Sequence, residues 1–301
     1  MTSETITADA AGTWKFGDLS VSRVGFGAMR LTGSAAFHHG TPSDRERSIA
    51  VLRKAIDLGV DHIDTAAFYF SATRSANELI NTALAPYPDD LVIATKVGPF
   101  RAYDGEWGTS ARPDRLRGHV EENLRQLGRD HLDVVYLRRM RQDSIAEHFG
   151  ALAELREAGL IRHLGISAVE PRHLAEAQAI APVVSVQNRY ALDRPDPEAD
   201  ELLRLCGEQG IAFVPFYAVA GEAGERGATA AHDDEVRAVA RAHGASPAQV
   251  RIAWTLHRGR HVLAIPGTGN PGHLTENVAA GALRLTDDEA ARLDAARESA
   301  G

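Results

Sequence analysis

Short runs rich in valine and isoleucine recur along the chain, and each is followed by a longer segment in which apolar residues keep helical spacing. The runs lie at 24–28, 62–64, 91–95, 132–137, 161–166, 183–186, 211–215 and 261–265. Helical periodicity fills 44–58, 112–127, 144–158, 198–209 and 247–257 between them. This alternation predicts strand–helix units and a parallel sheet. An open, doubly wound sheet shares the local pattern, but eight strands, each followed by a helix, favour a closed α/β architecture, the (β/α)₈ TIM barrel. The 301 residues suit one such barrel, which typically takes about 250.

Local signals agree with that frame. Asp44 follows Thr41-Pro42-Ser43 at one helix entry, and Ser246-Pro247 opens a later helix. Gly59, Gly128, Gly159 and Gly210 stand where a helix hands over to a strand. Residues 14–22 alternate around Gly17-Asp18 and predict a hairpin able to plug the bottom of the barrel. Residues 13–301 are expected to form a single domain ending in extra helices, with 1–12 a flexible lead.

Lys and Arg total 33 against 41 Asp and Glu, a net charge of −8. A phosphate backbone needs a basic face, so nucleic acid is not the expected partner. Cys206 is the one cysteine, which excludes an internal disulfide and a cysteine-paired zinc site; it suits a packing position on a helix. No apolar run nears the roughly 18 residues of a membrane span. The first dozen residues lack a basic stretch followed by an apolar one, so a cytoplasmic protein with no membrane partner is expected.

Gly267-Thr268-Gly269-Asn270-Pro271-Gly272 matches a dinucleotide fingerprint. Only about thirty residues follow it, without a further strand, so a βαβ unit cannot be completed there. A phosphate-binding loop after the eighth strand is the better expectation, with amide groups at a helix N-terminus holding the anion.

Barrel active sites sit at the carboxyl ends of the strands. Those ends carry Asp64 through Tyr69, Thr95-Lys96, Arg138, Ser167, Gln187-Asn188, Phe216-Tyr217 and Pro266-Gly267. Three of them make a coherent acid. A phenol ordinarily titrates near 10; the Lys96 ammonium is expected to draw Tyr69 below that, and Asp64 to balance the buried lysine.

These same segments, Asp64-Thr65-Ala66 with Tyr69, Thr95-Lys96, Leu132-Asp133-Val134-Val135, Gly165-Ile166-Ser167, Gln187-Asn188, and Ile265-Pro266-Gly267 through Glu276-Asn277, resemble the aldo-keto reductases in order and over nearly the whole chain. The resemblance implies aldehyde or ketone reduction with NADPH and no metal, by an Asp, Tyr, Lys and His tetrad. Asp64, Tyr69 and Lys96 match three of those roles. Arg138 stands where the family has histidine; it can orient a carbonyl oxygen but cannot shuttle a proton. Ser167 and Gln187 match positions that hold the nicotinamide carboxamide, while Ala168 replaces the usual asparagine. Phe216 matches the ring that stacks on nicotinamide. Gly267, Thr268, Gly269 and His273 match the phosphate contacts, and Glu276 and Asn277 the adenine end. Thr268 and His273 replace the usual cations; NADP remains the cofactor the resemblance implies, with NAD as an alternative.

The strand-four motif, together with Ile265-Pro266-Gly267-Thr268 and His273-Leu274, is similar to the bacterial pyridoxal reductase (pyridoxine 4-dehydrogenase) branch. That implies reduction of pyridoxal to pyridoxine by a monomer or weak homo-oligomer. The same chemistry on a sugar or secondary-metabolite carbonyl is an alternative, as is a nicotinamide-binding sensor with little turnover. Met29-Arg30, residues 36–39 and residues 100–107 are expected to rim the substrate pocket. Adjacent His38 and His39 point apart on regular backbone, which disfavours a metal site.

Overall fold

The computed structural model describes residues 6–33, 40–102, 104–193, 195–219 and 233–298. Strands β1 (Thr13–Phe16) and β2 (Leu19–Ser22) form an antiparallel hairpin turned at Gly17. Next come β3 (Phe26–Gly27), β4 (His62–Asp64) and β5 (Val92–Val97). A second hairpin, β6 (Pro99–Arg101) with β7 (Trp107–Ser110), projects beyond β5. The chain then runs through β8 (Leu132–Arg138), β9 (Ile161–Ser167), β10 (Val183–Gln187) and β11 (Ala212–Phe213). Strands β3, β4, β5, β8, β9, β10 and β11 lie side by side in that order, all parallel. Helices α1 (Arg45–Asp57), α2 (Ala76–Leu84), α3 (Leu116–Leu127), α4 (Ala146–Glu157), α5 (Pro171–Gln178) and α6 (Pro197–Gln209) cover the outside. Later helices span Asp233–His243, Pro247–His257, Pro271–Ala279 and Asp287–Glu298.

The expected eighth strand survives only as two parallel bridges, Phe213 with Val262 and Val24 with Ala264. They still close the curled sheet into a barrel: Leu263 N–H donates to Phe213 O at 2.9 Å, and Gly25 N–H to Ala264 O at 2.8 Å. Pro266, like Pro215 beside β11, has no N–H to extend a ladder. This shortens both elements relative to the apolar runs that announced them. The first strand contracts to Phe26–Gly27 for a related reason, since its outer partner is this same proline-ended segment.

Side chains alternate across the pleat. Val92 and Ala94 of β5, with Val134 and Tyr136 of β8, turn into the barrel and pack on Val214, Leu263 and the hairpin residues Phe16 and Val21. The hairpin therefore plugs the amino-terminal mouth, as the alternation around Gly17 predicts. Gly165 makes room for this layer, because a Cβ there would lie 2.6 Å from the Tyr136 ring. Ile93 and Val97, with Val135 and Leu137, turn outward into the helix-covered core.

Sequence-level caps are realised. Asp44 accepts from Arg47 N–H at 2.8 Å, and Ser246 and Gln249 form a reciprocal capping box. All four handover glycines have positive φ. Cys206 is buried on α6 with its thiol pushed up to about 12 by desolvation, so it stays protonated. Within the expected lead over 1–12, Ala8–Ala11 form a 3₁₀ turn, and Ala8, fully buried, donates its N–H to Leu58 O. Residues 1–5 lie outside the described set. No helix among the described residues is long and apolar enough to cross a membrane.

Phe16 is 1% exposed at the centre of the plug. Phe16→Ala should cost about 3–5 kcal/mol, read as a lower midpoint with unchanged slope in urea titration; an unchanged midpoint would remove the hairpin from the barrel core.

Candidate active site

The inward face continues upward from the plug. One residue past Ile63, two past Ala94, two past Tyr136 and two past Ser185, the barrel layer becomes Asp64, Lys96, Arg138 and Gln187. All four line one cavity of about 260 Å³ at the carboxyl-terminal end, with Tyr69, Phe216 and Gly267. The strand-end reading therefore converges on one place.

Lys96 Nζ lies 2.6 Å from Asp64 Oδ2 and donates to Thr65 O at 3.0 Å. Gln187 Nε2 donates to the other Asp64 oxygen at 2.7 Å. The carboxylate is thus held by one cation and one amide, and both charged side chains are almost fully buried. Burial alone would push Lys96 down; the Asp64 carboxylate and the Tyr69 hydroxyl outweigh it, and the ammonium is held above its ordinary 10.5.

Tyr69 packs its ring under Lys96, whose Nζ is 4.9 Å from the centroid. Phe68 meets that ring edge-on at 5.2 Å and in turn meets the Trp107 ring at 5.7 Å. The expected downward shift of the phenol is not what the surroundings produce. Burial raises Tyr69 above 10.0 and Asp64 adds to it, while Lys96 and Arg138 pull the other way without prevailing. At neutral pH the group is a full phenol, a donor rather than a phenolate.

The outward-facing neighbours of the charged pair are pinned as well. Thr65 donates to Asn77 Oδ1 at 2.8 Å, and Asn77 Nδ2 to Asn123 Oδ1 at 3.0 Å. Thr95 donates to the same Asn123 oxygen at 2.6 Å. This buried chain ties β4 and β5 to α2 and α3 directly behind the pair. Single polar residues on helices give no sequence pattern that announces it.

Arg138 also reaches the cavity. Its Nη1 donates to Ser167 Oγ at 3.3 Å, and its guanidinium lies 5.0 Å from the Phe216 centroid. Burial lowers it, but an arginine remains charged at any working pH. No histidine lines this cavity among the described residues. Ala168 keeps a left-handed backbone, φ 58°, a conformation asparagine adopts more readily than alanine. Asn188 holds that turn, accepting from Val169 N–H at 3.1 Å and donating to Val169 O at 2.7 Å.

The loop after the closing segment behaves differently from a simple anion cradle. A Cβ on Gly267 would sit 2.4 Å from Gly27 O, so this glycine serves the seam of the barrel. Asn270 caps the next helix and accepts from Gly272 N–H at 2.7 Å, which leaves that amide already satisfied. Thr268 is buried and accepts from Asn270 N–H. His273 and Glu276 are exposed on the helix and Asn277 is buried on its inner side. Of the expected rim, Met29, Arg30 and Trp107 line the cavity, whereas Phe100 does not. Residues 36–39, including His38 and His39, lie outside the described residues. Phe68 and Tyr217, both among the strand-end residues, also line it, as does Val219.

One observation bears on a nicotinamide cofactor. Gln187 Oε1 is buried and has no hydrogen-bond partner among the described residues. An acceptor left bare beside an aromatic wall fits a carboxamide N–H₂.

The model of the aldo/keto reductase family matches residues 23–298. The chain is 42% identical to pyridoxine 4-dehydrogenase of Escherichia coli over 293 residues, 95% of this chain and 98% of that one. It is 37% identical to an uncharacterized oxidoreductase of Schizosaccharomyces pombe, over 97% of this chain and 92% of that one. An aldo/keto reductase from Klebsiella pneumoniae, solved with NADP and acetate, superposes with a TM-score of 0.76 at 28% identity, covering 94% of each chain.

If Asp64 exists to balance Lys96, Asp64→Asn should destabilise by about 3–5 kcal/mol, and Asp64→Asn with Lys96→Met should recover part of that loss. Thermal unfolding of the three variants reads this cycle; strictly additive losses would refute the pairing. Because Lys96 is raised in the folded state, its contribution is complete below about pH 10 and is lost as pH rises through the folded value. Lys96→Met should flatten that alkaline arm.

Proposed function

The chain belongs to the aldo/keto reductase family, and from that premise we propose that it reduces pyridoxal, or a related aromatic aldehyde, to the alcohol with NADPH in the cytoplasm. Carbonyl reduction is the chemistry common to the family; substrate, cofactor and the roles of individual residues are the proposal. The single observation that carries it is the Tyr69 ring packed against Lys96, whose Nζ lies 4.9 Å from the ring centroid, in a cavity that Arg138 also lines.

When bound, NADPH would supply the hydride that the carbonyl carbon takes up. Gln187 and Ser167 would hold its carboxamide, Phe216 its ring, the 267–269 turn and His273 its phosphates, and Glu276 and Asn277 its adenine end. The chain's own residues manage the proton. Tyr69 donates to the carbonyl oxygen as that oxygen gains charge, and the phenolate left behind faces Lys96 and Arg138. Both cations are weak stabilisers while the phenol is neutral and strong ones after the transfer, so their effect falls on the transition state. Lys96 can hold this position without being drawn away, because Asp64, Thr65 O and Gln187 fix the pair from behind. Arg138 donates a hydrogen bond toward the carbonyl oxygen and keeps it against Tyr69.

The aromatic enclosure of Phe68, Trp107 and Phe216 favours a flat aldehyde over an open-chain sugar. The cavity volume also suits a single six-membered ring with small substituents. The 42% identity to a pyridoxine 4-dehydrogenase over nearly the full chain supports the same substrate class.

NADPH oxidation should proceed with pyridoxal, and Tyr69→Phe should lose roughly 10²–10⁴ in kcat with little change in cofactor affinity. Wild-type rates with Tyr69→Phe would end the assignment of the acid. Since no histidine belongs to the proton path, the kcat–pH profile should be flat across the histidine range. Arg138→His should introduce a new limb near pH ~6.5; a neutral limb already present in wild type would count against Arg138.

A further inference from the structure

A second and larger cavity, about 890 Å³, lies behind the active-site wall. It opens between the β6–β7 hairpin, the 67–75 loop and helices α2 and α3. Phe68 and Lys96 line both cavities, so one layer of side chains separates them.

Its lining departs from the rest of the molecule. The chain carries a net charge of −8, yet four arginines, Arg74, Arg101, Arg112 and Arg115, face this space against two glutamates. Arg112 is paired with Asp114. Arg74 and Arg101 donate to backbone carbonyls and to Thr73. Glu122 is engaged by Arg125 and Gln126, which leaves the guanidinium charge dominant.

Two buried donors are incomplete. Arg101 is 8% exposed and its Nη2 has no hydrogen-bond partner among the described residues; Ser71, 6% exposed, has none for Oγ. Buried polar groups are ordinarily paired, so each marks a place where a ligand atom is wanted. Aromatic rings stand beside them. The Arg101 guanidinium lies 4.4 Å from the Phe70 centroid, and Phe100 is 52% exposed on the rim. Guanidinium stacked on an aromatic face, with donors pointing past it, suits a flat ring that bears an anionic group.

We propose that this lateral cavity is a binding site for a planar aromatic anion, separate from the carbonyl-reducing site and not dependent on its chemistry. The anionic group meets Arg101 and Ser71, and the ring lies among Phe70 and Phe100. Arg74 and Arg115 supply the attracting field at the mouth.

The α3 residue Gly118 provides a clean way to close the site. It lines the cavity, and a Cβ there would meet nothing within 4 Å. Gly118→Phe therefore fills the ligand space while relieving a helix of a glycine. The probe is anilinonaphthalene sulfonate, followed by fluorescence titration, with uncharged phenylnaphthylamine as the neutral counterpart. The sulfonate should bind wild type at one site, and Gly118→Phe and Arg115→Glu should each weaken it about tenfold or more. The neutral probe should respond to Gly118→Phe but not to Arg115→Glu. Far-UV circular dichroism and carbonyl reduction should match wild type in both variants. Wild-type affinity in Gly118→Phe, or displacement of the probe by NADPH, would place the probe elsewhere and overturn the proposal. Loss of carbonyl reduction in wild type would instead strike the functional reading and leave this binding result intact.

Discussion

Everything at the top of this barrel rests on one buried ion pair. Asp64 and Lys96 are each almost inaccessible to water, and an unpaired charge at that depth is costly enough to unfold a domain of ordinary stability. The pair is therefore built with every oxygen assigned. One carboxylate oxygen takes the ammonium and the other takes the Gln187 amide, while Lys96 spends a second proton on Thr65 O. A group so held has no freedom to rearrange during a reaction. Its fixed field is what gives Tyr69 a directed environment rather than merely a buried one.

Two opposing effects act on Tyr69, and their order explains its chemistry. Desolvation is the larger, and it keeps the proton on. The two cations are the smaller influence on the resting phenol, but they act on the charged form that appears only after proton transfer. A site that lowered the phenol outright would begin each cycle with part of its acid already spent. Arginine in place of histidine fits that logic: Arg138 adds positive charge without adding a second titration, and its place beside Ser167 and Phe216 is fixed by contacts on two sides.

Much of this was legible because barrel strands are short and their ends are chemically exceptional. An apolar run that stops at Asp64, at Lys96 or at Arg138 states both where the strand ends and which side chains enter the mouth. Handover glycines and caps were legible for the same reason, since each answers a local backbone demand. The closing strand was not, because its apolar run is real but two prolines deny it a ladder. The Asn77–Asn123 chain was not, because a buried asparagine on a helix looks like any polar surface residue until its partner is known. The direction of the Tyr69 shift is not legible for a similar reason: sequence names the neighbouring charges, but only the fold supplies the amount of water removed.

The G-x-G-x-x-G match illustrates how one string can gather unrelated constraints. Gly267 is dictated by the seam, where its backbone and that of Gly27 approach so closely that a Cβ on either would strike a carbonyl oxygen of the other side, 2.4 Å from Gly27 O or 2.6 Å from Ile265 O. Gly269 is under no such pressure, since a Cβ there would meet only Arg30 O at 3.9 Å. Gly272 lies under its own helix cap, with a Cβ 3.2 Å from Asn270 Oδ1. Three glycines thus answer to barrel closure, open space and capping, respectively. Gly269 is the one of the three that no close protein contact requires, whereas the seam and the cap account for Gly267 and Gly272 whatever the 267–269 turn binds.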